Sequence, residues 1–400
     1  MTSHSPLKFV ATLLTSSVDK KTTENEDEVR LCNYVDVYYN ERITEDLEFM
    51  AATATREQAV RFGLRAGDIL FTKDSETPGD IAVSARVDQD LPGVVCGYHL
   101  TIARPIESEI DSRFLYWAMN SRNVRDQFCN LATGVTRFGL RQDDVGRVSV
   151  PVPDLGRQGA IADYLDVEIS RIDALIEKKQ RMIELLEKRV DAEIQWWIGR
   201  SPLAGHDEVG LEMVRRLLVK HDRWTTEPGE MITAFRDGEV ISRSARGREG
   251  FTNSSSDLAR LQRVNVGDVV IHGLDGFSGA IGDSQYQGVC SPVYHVCSPV
   301  DGDPTFYGRL LRILATSGYL GNFAVSTRER AVDFRNWDLF GRIPIPSVPA
   351  RDQRRLGAAI RSIRPLREKI AASEVVATEK RFSLITAVVT GEFKIGGVAA

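Results

Sequence analysis

Residues 161–189 read Ile161-Ala-Asp-Tyr-Leu165-Asp-Val-Glu-Ile169-Ser-Arg-Ile172-Asp-Ala-Leu-Ile176-Glu-Lys-Lys-Gln-Arg-Met-Ile183-Glu-Leu-Leu186-Glu-Lys-Arg189. Leu165, Ile169, Ile172, Ile176, Ile183, Leu186 and Val190 recur in alternating steps of four and three, with Lys179 in one core slot, which is a heptad seam. Glu177 with Arg181 and Glu184 with Lys188 are i,i+4 pairs in the favourable order. Asp154 is a good N-cap, and between it and Gly199 there is no proline. The pattern predicts a helix of about 45 residues, roughly 65–70 Å long. A rod of that length needs a partner for its apolar seam.

The chain supplies one. After Ser347 and Pro349, a second pattern runs through Leu356, Ile360, Ile363, Leu366, Ile370, Ala377, Ile385 and Val388 and ends near Gly391. The two helices match in length, so the simplest arrangement pairs them antiparallel. Pro365 interrupts the second pattern and is expected to kink or split that helix, because it removes a hydrogen bond and crowds the preceding turn.

On either side of these helices the chain repeats itself. Gly67-Asp68 matches Gly267-Asp268, Tyr98-His99 matches Tyr294-His295, and Asp111-x-x-Phe114 matches Asp303-x-x-Phe306. Thr136-Arg137 matches Thr327-Arg328, Val150-Pro-Val-Pro153 matches Ile343-Pro-Ile-Pro346, and Gln158 matches Gln353. The pairs keep their order, and their spacings drift only between about 191 and about 200 residues. Such a period means two whole domains rather than a solenoid. Residues 1–153 and 201–346 are the expected globular segments, 154–200 and 347–392 the helices, and 393–400 a tail. Asp68-Ile-Leu-Phe-Thr and Val269-Val-Ile-His read as buried strands, and the stretches from Phe114 and Phe306 as helices. The fold class is mixed α/β: two tandem-duplicated globular domains separated by an antiparallel coiled coil.

Composition narrows the function. The 400 residues are 42% hydrophobic and 27% charged, as in ordinary globular proteins. No apolar run is long enough to span a membrane, and no signal peptide is read at the start. Cys32, Cys96, Cys129, Cys290 and Cys297 are scattered, which fits reduced thiols in the cytoplasm. A net charge of −5 rules out coating nucleic acid by bulk charge but leaves room for a local basic cleft. Phosphate-loop, zinc-protease, nucleophile-elbow and dinucleotide motifs are absent. No metal site or catalytic residue is therefore assigned.

The polar chemistry lies in loops beside the repeated anchors. One is Thr133-Gly-Val-Thr136-Arg137-Phe-Gly-Leu-Arg141, and its counterpart runs from Ser326 through Thr327, Arg328 and Arg330 to Arg335. Arginine forks suit phosphate or the guanine edge, and threonine hydroxyls suit phosphate oxygens. Lys73 and His272 follow the matched strands and join the DNA-binding candidates. The loops fit equally a solvated surface whose arginines pair with Asp143, Asp144 or Asp333. Tyr98-His99 and Tyr294-His295 read as packing.

The stretch 161–189 resembles the central helix of the DNA specificity subunit of type I restriction–modification systems. So do Val150-Pro-Val-Pro153, Tyr34-Val-Asp-Val-Tyr-Tyr-Asn and Leu384-Ile-Thr-Ala-Val-Val-Thr-Gly-Glu-Phe. The resemblance implies that each globular segment reads one half of a bipartite, asymmetric site in double-stranded DNA, with the helices as spacer. It implies DNA methyltransferase subunits and restriction or translocase subunits as partners. S-adenosylmethionine, ATP and magnesium would then sit on those subunits, and this chain would carry no catalysis. The competing reading is an antiparallel-helix adaptor that joins two protein-binding domains and never touches DNA.

Overall fold

The computed structural model describes residues 3–246, 260–323, 333–393 and 395. The chain divides into two units: residues 1–177 with 372–400, and residues 178–371. Each contains one globular segment and a part of each of two long helices, Leu155–Gly199 and Ala350–Thr390. The division thus cuts through both helices rather than at their ends.

In the first unit the central sheet runs in the order Ala11–Thr15, Leu100–Pro105, Ile69–Thr72, Ser84–Val87, Arg42–Ile43. Every residue of Ile69–Thr72 is buried, as the unbroken apolar run requires. The helix Ser112–Met119 packs on this sheet, with Asp111 capping it by accepting from the Phe114 N–H at 2.9 Å. The apolar core joins sheet and helix to Ile161, Leu165 and Ile169 of the first long helix and to Ile385, Val388 and Val389 of the second. Ile172 packs against the same core, and Ile176 is half-buried.

The second unit repeats the frame. Its sheet runs Leu218–Lys220, Tyr294–Pro299, Val269–His272, Ile281–Asp283. The helix Pro304–Thr316 is capped by Asp303, which accepts from the N–H groups of Thr305 and Phe306. Ile183, Val190 and Ile194 share its core with Leu356 and Ile363, while Leu186, Ile360 and Ile370 pack against it.

The helices run antiparallel in each unit. In the first, Arg381 reaches Asp173 at 3.6 Å. In the second, Arg367 pairs with Glu187 and Arg355 with Glu193 at 2.7 Å, so partner numbers fall on one helix as they rise on the other. Of the two outcomes expected at Pro365, a kink or a split, the split does not occur: one helix runs Ala350–Thr390 through the proline. Arg361, Arg364 and Arg367 bracket the proline with ion pairs to the globular segment.

The duplication holds down to single hydrogen bonds. Gln158 is fully buried, accepts from Asp111 N–H at 2.7 Å and donates to Pro153 O at 2.7 Å and Glu109 O at 3.1 Å. Gln353 is likewise buried; it accepts from Asp303 N–H at 3.4 Å and donates to Val348 O at 2.7 Å. Each glutamine ties the first turn of a long helix to the cap of the shorter helix beside it. Gly67 and Gly267 share a left-handed backbone with φ of 84° and 85°, which leads into the buried Asp68 and Asp268. Their arginine partners differ in position: Arg104 for Asp68 and Arg223 for Asp268. Among the described residues, no helix is long and apolar enough to cross a membrane, and no cluster could hold a metal ion.

Candidate nucleic-acid interface

In the first unit, the strands Thr133–Gly134 and Phe138–Gly139 form a hairpin, and Asp74–Ser75 adds a third strand beside Phe138–Gly139. Gly134 is required here. A Cβ on it would sit 2.0 Å from the Arg137 carbonyl oxygen. The tip carries Val135, Thr136 and Arg137, all exposed, and Val135 keeps 92% of its surface in solvent.

Strand pairing sets Asp74 beside the tip. Arg137 donates to Asp74 Oδ1 at 2.8 Å, and His99 Nδ1 lies 2.9 Å from Asp74 Oδ2. The Arg137 guanidinium also lies 3.3 Å from that ring nitrogen. Lys73 holds its ammonium 5.9 Å above the Tyr98 ring, and the rings of Tyr98 and His99 touch at 3.7 Å. Edge contact from His99 leads to Tyr34, which stacks on Tyr38 at 5.4 Å, and Tyr38 meets Tyr39 at 5.0 Å. The hydrogen bond that Tyr38 donates to Asp80, at 2.6 Å, pushes its pKa up to about 12. Its hydroxyl is thereby held protonated and the ring fixed in orientation. Tyr39 is 77% exposed.

This surface combines two cations, a hydrogen-bonding histidine and a run of tyrosine faces. Such a set suits phosphates, base edges and sugar rings. Lys73, Thr136 and Arg137 come together in it. Arg141 lies beyond the hairpin, exposed and without an ion-pair partner among the described residues. Tyr34, Tyr38 and Tyr39 were not among the sequence candidates. Their signal was Tyr34-x-x-x-Tyr38-Tyr39, a helical spacing that keeps the rings in reach of one another.

The second unit offers different chemistry on the same frame. A cleft of about 630 Å³ is lined by Arg236, Arg243, Arg246, His272, Asp275 and Tyr294 among others. Arg236 pairs with Asp275 at 3.0 Å, and Arg246 pairs with Asp237 and Glu239 while lying 4.1 Å from the Phe235 ring centre. His272 Nδ1 accepts from the N–H groups of Leu274 and Asp275, and burial pushes its pKa down. It is a neutral ring that pins the turn at the cleft. Tyr294 meets it edge-on at 4.6 Å. His295 is buried, donates to Phe334 O at 2.6 Å and is also held neutral by burial, which is the packing role expected of it. Arg335 sits on Asp333 through two-point contacts. That is the carboxylate pairing the loop reading left open. Thr327, Arg328 and Arg330 lie outside the described residues. The arginines of the cleft were missed because nothing in their spacing marks them; the sheet gathers them.

Residues 17–185 match the family model described as the type I restriction modification DNA specificity domain. No curated protein matches the chain. Among solved structures, one described as the structural basis of complex assembly and conformational transition of the type I R-M system is similar. It matches at 14% identity with a TM-score of 0.60, over 99% of this chain and 98% of that one. At that identity the likeness is one of fold. The HsdS subunit from Thermoanaerobacter tengcongensis matches at 14% identity and a TM-score of 0.46, over 98% of this chain and 97% of that one. The type I restriction-modification system S subunit from M. genitalium matches at 14% identity and a TM-score of 0.47, over 96% of this chain and 95% of that one.

Proposed function

We propose, from the match of residues 17–185 to the type I restriction modification DNA specificity domain, that this chain is the sequence-reading subunit of a type I modification complex. Each globular segment reads one half of a bipartite, asymmetric site in double-stranded DNA. The paired helices set the gap between the halves. The observation that carries this reading is one frame presented twice with different surfaces: a hairpin of Thr136 and Arg137 beside tyrosines in the first unit, and an arginine-lined cleft in the second. A duplicated frame with unlike surfaces suits two different half-sites, whereas symmetric dimers read palindromes.

Lys73, Thr136, Arg137 and Arg141 serve the first half-site. Thr327, Arg328, Arg330, Arg335 and the turn pinned by His272 serve the second. The chain itself makes and breaks no bonds. DNA methyltransferase subunits bind S-adenosylmethionine and dock on the helices; ATP- and magnesium-dependent restriction or translocase subunits join them. Exposed apolar residues on the helices support such docking: Val167, Leu175, Val375 and Val376 in the first unit, and Met182, Leu185 and Trp196 in the second.

The test is to map modified bases in cells that express the chain with its methylation subunit. The expected result is one bipartite motif with a single gap. Alanine at Arg137, Arg141, Arg328 and Arg330 together should abolish it. Modification that survives the quadruple change would favour the adaptor reading, in which the globular segments bind proteins.

A further inference from the structure

The duplicated frame lets equivalent positions be matched one by one, and at one place their charges are reversed. On the sheet, Arg86 pairs across from Ile69 in the first unit, and Asp283 pairs across from Val269 in the second. Ile69 and Val269 follow the matched Gly-Asp turns, so Arg86 and Asp283 occupy the same place. On the long helices, eight residues beyond the matched Gln158 and Gln353 stand Asp166 and Arg361. In the first unit the matched sheet and helix residues face each other; in the second the sheet residue pairs one turn further along the helix, with Arg364, while Arg361 reaches it through Thr305. Arg86 donates through Nε to Asp88 of its own segment at 3.1 Å and turns its other end toward Asp166, at 3.9 Å without a hydrogen bond; Asp166 also accepts from Trp117 Nε1 at 2.9 Å and from Arg113 at 3.4 Å. Asp283 is held by Arg364, with one contact at 3.0 Å, and Arg361 donates to Asp303 at 2.8 Å and to Thr305 at 2.9 Å. Thr305 in turn donates to Asp283 at 2.9 Å. Arg86 and Asp283 are both buried.

Shape is reversed along with charge. Tyr116, two residues after Phe114, lies under the Arg86 guanidinium at 5.9 Å. Its counterpart, two residues after Phe306, is Gly308, where a Cβ would come within 3.0 Å of the Gly282 backbone. The first unit thus uses a large sheet residue and a large helix residue. The second uses small ones and brings the helix onto the strand itself.

We propose that these reversed contacts are charge keys. They admit each globular segment only to its own stretch of the long helices and hold it at one position there. The half-sites are then read in one order and at one gap. This rests on the DNA-recognition reading above. Seating the first segment on the second's helices would set Arg86 against Arg361 and Arg364. The reverse exchange would set Asp283 against Asp166. Like charges confined at a buried contact are among the strongest rejections a protein can build. Arg86, Asp166, Asp283, Arg361 and Arg364 are positioning residues and need not touch DNA.

The experiment uses the full chain with its methylation subunit and reads two quantities, the modified motif across the genome and the thermal midpoint of the complex. D283R places a third cation beside Arg361 and Arg364 and should lower modification by roughly tenfold or more. D283R/R364D restores an opposed pair and should recover both modification and the native gap. D283N/R364Q removes the key without a charge clash. It should fold, keep both half-site sequences and spread modification over several neighbouring gap lengths. The proposal is overturned if D283N/R364Q keeps the single native gap, if D283R/R364D stays as inactive as D283R, or if modification in every variant merely follows the thermal midpoint. A wild-type complex that modifies no bipartite motif would sink the DNA reading itself, and this proposal with it.

Discussion

Replacing Arg137 with alanine separates a DNA contact from a structural one. Its side chain is 60% exposed, and its described partners are Asp74 at 2.8 Å and the His99 ring at 3.3 Å. Exposed ion pairs of this kind contribute about 0–1 kcal/mol to folding, because water screens the attraction and ordering the side chain costs entropy. Asp74 keeps His99 at 2.9 Å after the change, so no carboxylate is stranded. A loss of ~1 kcal/mol moves the melting temperature of a unit of this size by about 2–4 °C at most. The same guanidinium on a base edge contributes ~1–3 kcal/mol to one position of the site. At ~1.4 kcal/mol per decade that is roughly a five- to 150-fold loss of affinity. The assay titrates the complex against a duplex bearing its motif, against single-base variants of that duplex, and at two salt concentrations. A base contact relaxes preference at one position. A phosphate contact weakens all duplexes alike and lowers the salt slope by about one. Unchanged binding to every duplex, or a loss that tracks unfolding, would refute the assignment of Arg137.

Three further outcomes follow from the same contacts. Q158A removes the partner of one buried N–H and two carbonyls, so it should destabilise the first unit by ~2–4 kcal/mol in denaturant unfolding; a neutral Q158A would mean that this network carries no net stability. The second unit should lose stability in acid. Burial depresses the pKa of both His272 and His295, so the unfolded chain binds more protons once the pH falls below about 6.5. Their contribution is therefore complete above that pH and is lost as the pH drops toward the lower folded values. Thermal midpoints from about pH 7.5 down to about pH 5 check this, and H295Q should flatten the profile; an equally steep profile in H295Q would remove His295 as a cause. Finally, inserting four residues, about one helical turn, within 165–190 should change the gap in the modified motif and leave both half-sites readable; an unchanged gap would end the ruler idea.

Much of the frame was legible because it rests on periodicity. The seam from Leu165 to Val190 is a local pattern, and a helix turns that pattern into a stripe whatever surrounds it. The six matched pairs located the repeat, and Gln158 and Gln353 prove to be the same hydrogen-bonded post in each unit. Pro365 was legible only in part: its local preference predicts a kink or a split, and the helix is not split, with Arg361, Arg364 and Arg367 ion-paired to the globular segment on both sides of the proline. The surface residues were legible only in part. Thr136 and Arg137 stood out because a glycine-bearing loop presents them. Tyr34, Tyr38 and Tyr39 did not, because their link to Arg137 passes through His99 and Asp74, far away in the chain.

Neighbours along the chain are enough to specify two long amphipathic helices and a duplicated globular unit. Which side chains share a surface depends on the folded chain. The Asp74 contact to Arg137 spans a strand pairing, the arginine cleft forms across a sheet, and the charge reversal of Arg86 and Asp283 appears only once the two registers are matched. Helix periodicity is set within a few residues, whereas a binding surface is set by which distant strands the core brings into register.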